Sequence, residues 1–343
     1  MNTKRPITLL ALVVFWLGLP LLGACQSSEP RSTVQSSPLR VCYSSLAATQ
    51  IPVLYAREKG IFAAQGLEVE LFYFESGTDA VTAMIAGEID ICQVAGSSVV
   101  NAVVAGQDLV ILAGLINTYV YSFLVTPEIV VPEDLRDKAV AISRIGSSSD
   151  TAIRVALESM GLVPDEDVAV LAVGDQSVRL AAMESGQIAG TVVSIPESTR
   201  GIQHGFHELL NMSALNAPFQ HTAIATTRTF LEAERDQTAA FMQALLISIA
   251  RMKEDRSGTM GVIAQYLQLD PATDQDLIRA AYDEIILVYL PERPYPTLDG
   301  IQVLLDELVA NNPAAADFTP EQLVDLEVLE EALKSIGEPQ ENQ

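Results

Sequence analysis

Two stretches of this chain repeat one another at a fixed offset of 99 residues, which restricts the fold more than any other feature. Leu39 to Ser44 opens into Ser45-Leu46-Ala47-Ala48-Thr49 and a helical stretch to Lys59-Gly60. Val140 to Ser143 opens likewise into Arg144-Ile145-Gly146-Ser147-Ser148-Ser149, a helical stretch from Thr151 to Met160 and a Gly161 stop. At the same offset Ala83-Met84-Ile85-Ala86-Gly87-Glu88-Ile89 matches Ala182-Met183-Glu184-Ser185-Gly186-Gln187-Ile188, each a helix ended by Gly and followed by a β-rich run. Two collinear matches at one offset imply a duplicated strand-helix-strand-helix-strand unit. Such a unit builds parallel strands with helices on both faces. Strands are expected at 39–44, 67–74, 89–94 and 109–116, and again at 138–143, 167–173, 189–194 and 207–212. Two lobes also suit a chain of 343 residues.

Tyr121–Val125 and His221–Thr226 flank the second unit, so the chain crosses from lobe one to lobe two and returns, a two-strand hinge. Lobe one is expected to comprise 39–124 and 222–343, and lobe two 125–221. After Thr227 the pattern turns helical, over 230–254, 257–267, 274–287, 298–310 and 320–334. Thr319-Pro320-Glu321-Gln322 opens the last of these as a capping box with Pro at the first position. This tail is expected to pack on lobe one.

The N-terminus reads as an address. Lys4 and Arg5 precede an apolar run from Ile7 to Ala24, a secretory leader lying outside the fold. It ends in Leu22-Gly23-Ala24-Cys25, which resembles the bacterial lipobox and makes Cys25 the lipidated residue of an exported, membrane-anchored protein; the alternative is a membrane anchor, for which the run is short. Residues 25–38, rich in Ser, Gln and Pro, form a flexible tether. Removing residues 1–24 takes the net charge from −24 to −26, a field that repels phosphate backbones and argues against a nucleic-acid partner. Cys25, Cys42 and Cys92 fit no zinc spacing, and Cys42 and Cys92 in apolar strands read as inert core thiols. No cofactor or metal is implied.

Tyr43-Ser44-Ser45, Glu75-Ser76-Gly77-Thr78-Asp79, Ala86-Gly87-Glu88-Ile89-Asp90, Gly146-Ser147-Ser148-Ser149-Asp150 and Pro294-Tyr295-Pro296-Thr297-Leu298 occur in that order. Together they resemble the nitrate/sulfonate/taurine-type solute-binding proteins of ABC importers, including relatives that bind thiamine-precursor pyrimidines, from about Leu39 to residue 334. The resemblance implies an α/β, two-lobed type II periplasmic-binding-protein fold with two parallel-rich sheets. It implies a monomer that captures a small-molecule solute in the cleft and hands it to an ABC permease with its ATPase.

In parallel sheets a ligand sits at the carboxyl ends of the strands, against helix N-termini. The corresponding loops nominate Ser44 and Ser45, Gly77 and Thr78, Ser97 and Ser98, Arg144, Ser147, Ser148 and Ser149, Glu197 and the return-crossing His221. Each serine is also a natural helix cap, Arg144 a natural partner for Asp150 or Asp175, and Glu197 an ordinary exposed acid at a helix start. Tyr43, Tyr119 and Tyr121 lie near strand ends or the hinge, as stacking groups or as core. Trp16, the one tryptophan, belongs to the leader. His204, His207 and Glu208 have metal-like spacing but read as solvated loop residues. An enzyme on the same fold, resembling thiamine-pyrimidine synthases or menaquinone-pathway enzymes, is the competing function. The lipobox opposes it, and a surface sensor is the third reading.

Overall fold

The computed structural model describes residues 37–309 and 312–337; the leader with Trp16, the lipobox with Cys25 and most of the tether lie outside them. The first repeat runs β1 (Leu39–Tyr43), α1 (Ile51–Glu58), α2 (Ile61–Ala64), β2 (Val69–Tyr73), α3 (Gly77–Ile85), β3 (Ile91–Ala95), α4 (Gly96–Val104) and β4 (Leu109–Thr118). After β5 (Ser122–Val125) the second runs β6 (Ala139–Ile142), α5 (Ser148–Ser159), β7 (Ala169–Ala172), α6 (Gln176–Glu184), β8 (Gly190–Val193), α7 (Glu197–Gln203) and β9 (His207–Asn211), and β10 (Pro218–Thr227) follows.

The two lobes are built on two five-stranded sheets, ordered β2-β1-β3-β10-β4 and β7-β6-β8-β5-β9. β1 pairs in parallel with β2 and β3, as β6 does with β7 and β8. The fourth strand of each sheet is antiparallel: β10 lies between β3 and β4, and β5 between β8 and β9. A duplicated parallel unit does not announce this, because each inserted strand pairs with residues far away in sequence. The central strands β3 and β8 are buried along their whole length, while the edge strands β2 and β7 are largely exposed.

The strand register corrects the reading of Cys42 and Cys92 as free thiols. They stand directly opposite each other in β1 and β3, with Cα atoms 4.4 Å apart, and form a disulfide. A separation of 50 positions conceals that proximity in the sequence.

The tail is helical, with three departures from expectation. The stretch 230–254 is broken at Glu234 into α8 (Arg228–Ala233), which Thr227 caps by accepting from Phe230 N at 3.0 Å, and α9 (Arg235–Glu254). α10 (Arg256–Tyr266) and α11 (Gln275–Ala280) follow, and α11 runs on as a π-helical segment, Ala281–Tyr289. After α12 (Leu298–Val309) the Thr319 capping box closes only a short 3-10 turn, Pro320–Leu323; Asp325 N then donates to the Ile111 carbonyl of β4, and the last helix, α13, spans Glu327–Gly337. α9 packs on α1 and α13, while α12 packs on β10 and α4.

Tyr119–Tyr121 carries the chain out to β5, and Phe219–His221 begins the return along β10. The Tyr119 and Phe219 rings stack at 4.0 Å, and those of Tyr121 and His221 lie 4.8 Å apart. Gln220 anchors the return: its amide bonds the Asn117 side chain and the Thr222 carbonyl, and its oxygen accepts from Thr297 N at 2.9 Å.

Candidate functional site

Each parallel strand delivers its chain to a helix start at the interface of the lobes, where unpaired N–H groups gather. Ser76 caps α3 by accepting from Asp79 N at 3.1 Å, Ser147 caps α5 by accepting from Asp150 N at 3.4 Å, and Asp175 accepts from Gln176 N at 2.7 Å at the start of α6. These starts surround a cavity of about 30 Å³. That is room for more than one water-sized group. Gly77 is glycine by necessity, because a Cβ there would lie 2.6 Å from Ser98 Oγ.

Of the residues nominated from sequence, Ser44, Ser45, Gly77, Ser147, Ser148, Ser149 and His221 line this cavity. Their hydroxyls are not equally available. Ser147 and Ser149 bond one another and Ser143, whereas Ser148 Oγ meets Tyr121 OH at 2.8 Å. His221 is buried, with Nδ1 2.8 Å from Thr222 Oγ1 and Nε2 without a partner. Burial pulls its pKa down to about 3, so the ring is neutral.

Thr78, Ser97, Ser98, Arg144 and Glu197 do not line the cavity. Thr78 Oγ1 donates to the Ile145 carbonyl and Ser98 Oγ to that of Gly146, both at 3.1 Å and both between lobes. Arg144 is exposed and 3.5 Å from Asp79, not paired with Asp150 or Asp175. Ser97 is buried with its hydroxyl unpartnered. Glu197, read as an exposed acid, is 7 % exposed and bonded to Arg200 at 2.7 Å, and burial pushes its pKa up. Among the supposed metal-like residues, His204 pairs with Glu184 instead. No group of three metal-ligating side chains occurs among the described residues.

Sequence reasoning missed Arg179, Gln50, Gln176, Ser194 and Thr222, all on the cavity wall, which Thr49 at the end of the Ser44 loop joins. Arg179 is 2 % exposed; Nη1 donates to Thr191 Oγ1 at 2.7 Å and to the Val192 carbonyl at 2.8 Å, while Nε has no partner. Burial pulls its pKa down, while Tyr121 and Asp175 counter the shift. Within the repeat Arg179 occupies the place of the buried Ala80, so the duplication itself held the signal: a cation where the other copy has a core methyl. Thr49 sits on a turn held by Gln93, whose amide donates to the Thr49 carbonyl at 2.6 Å. Its hydroxyl is buried and unpartnered as well. Three orphaned polar atoms, Thr49 Oγ1, Arg179 Nε and His221 Nε2, therefore belong to residues of one cavity wall. A buried polar atom without a partner costs about 1–3 kcal/mol, so three beside one cavity suit a site built to be completed by a polar molecule.

The NMT1/THI5-like family model matches residues 48–257. No curated protein matches the chain by sequence. Among solved structures, a Bordetella bronchiseptica protein aligns at 20% identity and TM-score 0.75, covering 88% of this chain and 98% of its own. The periplasmic nitrate-binding protein NrtA of Synechocystis aligns at 15% identity and TM-score 0.74, over 89% of this chain and 90% of its own. The alkanesulfonate-binding protein SsuA of Xanthomonas axonopodis, bound to MOPS, aligns at 19% identity and TM-score 0.66, over 86% and 97%. Shared fold and family model agree with the duplicated unit and the interlobe cavity: the chain belongs to the NMT1/THI5-like family.

Proposed function

We propose that this protein is an exported, lipid-anchored, monomeric solute-binding protein that captures a small polar solute between its lobes and presents it to the permease of an ABC importer. The observation that carries the reading is the convergence of Thr49, Arg179 and His221, each with an unpartnered polar atom, on one cavity. Serine hydroxyls and helix starts around them add donors that need no catalytic group to be useful. Lobe one is 39–124 with 222–343 and lobe two 125–221, with the crossings as hinge and Cys25 as the lipid-bearing residue. The solute is of the nitrate, sulfonate, taurine or thiamine-precursor kind, in keeping with what the nitrate- and alkanesulfonate-binding relatives are named for.

Native mass spectrometry of protein purified from membranes tests this directly, followed by calorimetric titration of whatever co-purifies and of nitrate, alkanesulfonates, taurine and hydroxymethylpyrimidine. A bound compound that leaves unchanged, and a Cys25→Ala variant no longer recovered with membranes, are expected. No binding across the panel, or conversion of a bound compound, would sink the receptor reading.

A further inference from the structure

Two of the side chains that sequence placed in the solute site are instead engaged between the lobes. Thr78 at the start of α3 and Ser98 at the start of α4 donate at 3.1 Å to consecutive carbonyls, Ile145 and Gly146, on the loop leaving β6. Gly146 has φ +79°, a left-handed conformation that glycine adopts without strain. A third hydroxyl does the same elsewhere on the cleft: Tyr73 at the end of β2 donates at 2.9 Å to Asp175 Oδ2. Asp175 Oδ1 meanwhile accepts from Gln176 N at the start of α6, the helix whose Gln176 and Arg179 line the cavity. The nearby Arg144–Asp79 pair is exposed on both sides and adds little.

We propose that the hydroxyls of Tyr73, Thr78 and Ser98 form a latch that holds the lobes closed without any solute. All three bonds join protein groups to protein groups, so their free energy belongs to closure itself. The solute then selects among positions the latch has already populated. Ser98 and Thr78 are spent on this task, which accounts for their absence from the cavity wall.

The test reads lobe separation in solute-free protein, after unfolding, dialysis and refolding, by pulsed electron spin resonance between one spin label on each lobe. Wild type is expected to show a majority at the closed separation. One lost hydrogen bond reduces the closed-to-open ratio by about 2- to 12-fold, so Tyr73→Phe is expected to shift the distribution measurably and Tyr73→Phe/Thr78→Val/Ser98→Ala to leave a majority open. Thr78→Ser, which keeps its hydroxyl, restores the closed peak relative to Thr78→Val. A wild type that is open throughout, or a triple variant as closed as wild type, overturns the latch. A thermal melt of each variant establishes that it is folded. Because no solute enters the measurement, the latch stands or falls separately from the receptor reading.

Discussion

Ser147 and Ser148 are neighbours with different tasks, and the difference was not legible in the Ser-Ser-Ser run. Ser147 Oγ accepts from Asp150 N and from the Ser143 hydroxyl, which is the work of a helix cap. Ser148 Oγ faces the cavity and contacts Tyr121 OH, on the crossing between lobes. Ser147→Ala is therefore expected to cost about 0.5–2 kcal/mol of stability, about 2–4 °C in Tm per kcal/mol, with affinity for the solute unchanged. Ser148→Ala is expected to weaken binding by about 2- to 12-fold. Calorimetry beside a thermal melt separates them, and an equal loss of affinity in both variants would contradict the assignment. Residue type at a loop names the candidates. Only the third dimension shows which lone pairs are already used, and so which of Ser44, Ser147 or Ser148 has a hydroxyl to spare. Arg179 escaped because buried arginines on helices are read as surface cations unless their partners are visible.

At the scale of elements, the duplication made all eight repeat strands legible, since short apolar runs between helix stops are what buried parallel strands look like. The antiparallel insertion of β5 and β10 was not, because no local pattern records a strand's partner. The same blindness hid the Cys42–Cys92 bridge, which staples β1 to β3 just before the loop that carries Ser44 and the helix start that carries Ser97. Closing a loop of about 50 residues removes roughly 4 kcal/mol of chain entropy from the unfolded state in the simplest account, and native bridges of this kind contribute about 2–5 kcal/mol. Protein reduced under denaturing conditions and refolded in reductant is expected to melt well below the oxidised form, and Cys42→Ala/Cys92→Ala to melt at the low temperature in either buffer. Equal melting of oxidised and reduced wild type would mean that the bridge is not a staple. A disulfide also suits the oxidising compartment that an exported protein enters.

At the scale of the whole molecule, both crossings between the lobes carry buried titratable surroundings that oppose one another. His221, on the return, is neutral with its pKa pulled down to about 3 by burial. Glu307 on α12, which influences Tyr119 on the outgoing crossing, is pushed up to about 8, first by burial and then by Glu158 and Asp306. Between pH 3 and 6.5 the unfolded chain takes a proton at residue 221 that the fold refuses, so stability rises with pH. From pH 4.5 to 8 the fold keeps a proton at Glu307 that the unfolded chain gives up, so stability falls with pH. Where the windows overlap the two slopes oppose one another; above pH 6.5 only the fall remains, with Glu307 its main source and Glu197, also pushed up by burial, acting in the same direction. Each slope is at most about 1.4 kcal/mol per pH unit, and less for Glu307 because its side chain is only partly buried. Wild type is expected to melt at temperatures that rise only slightly from pH 5 to 6.5 and fall from there to pH 8. His221→Asn converts that slight rise into a fall, and Glu307→Gln reduces the decline above pH 6.5. If that decline survives undiminished in Glu307→Gln, the protonated carboxyl beside the crossing is not its cause.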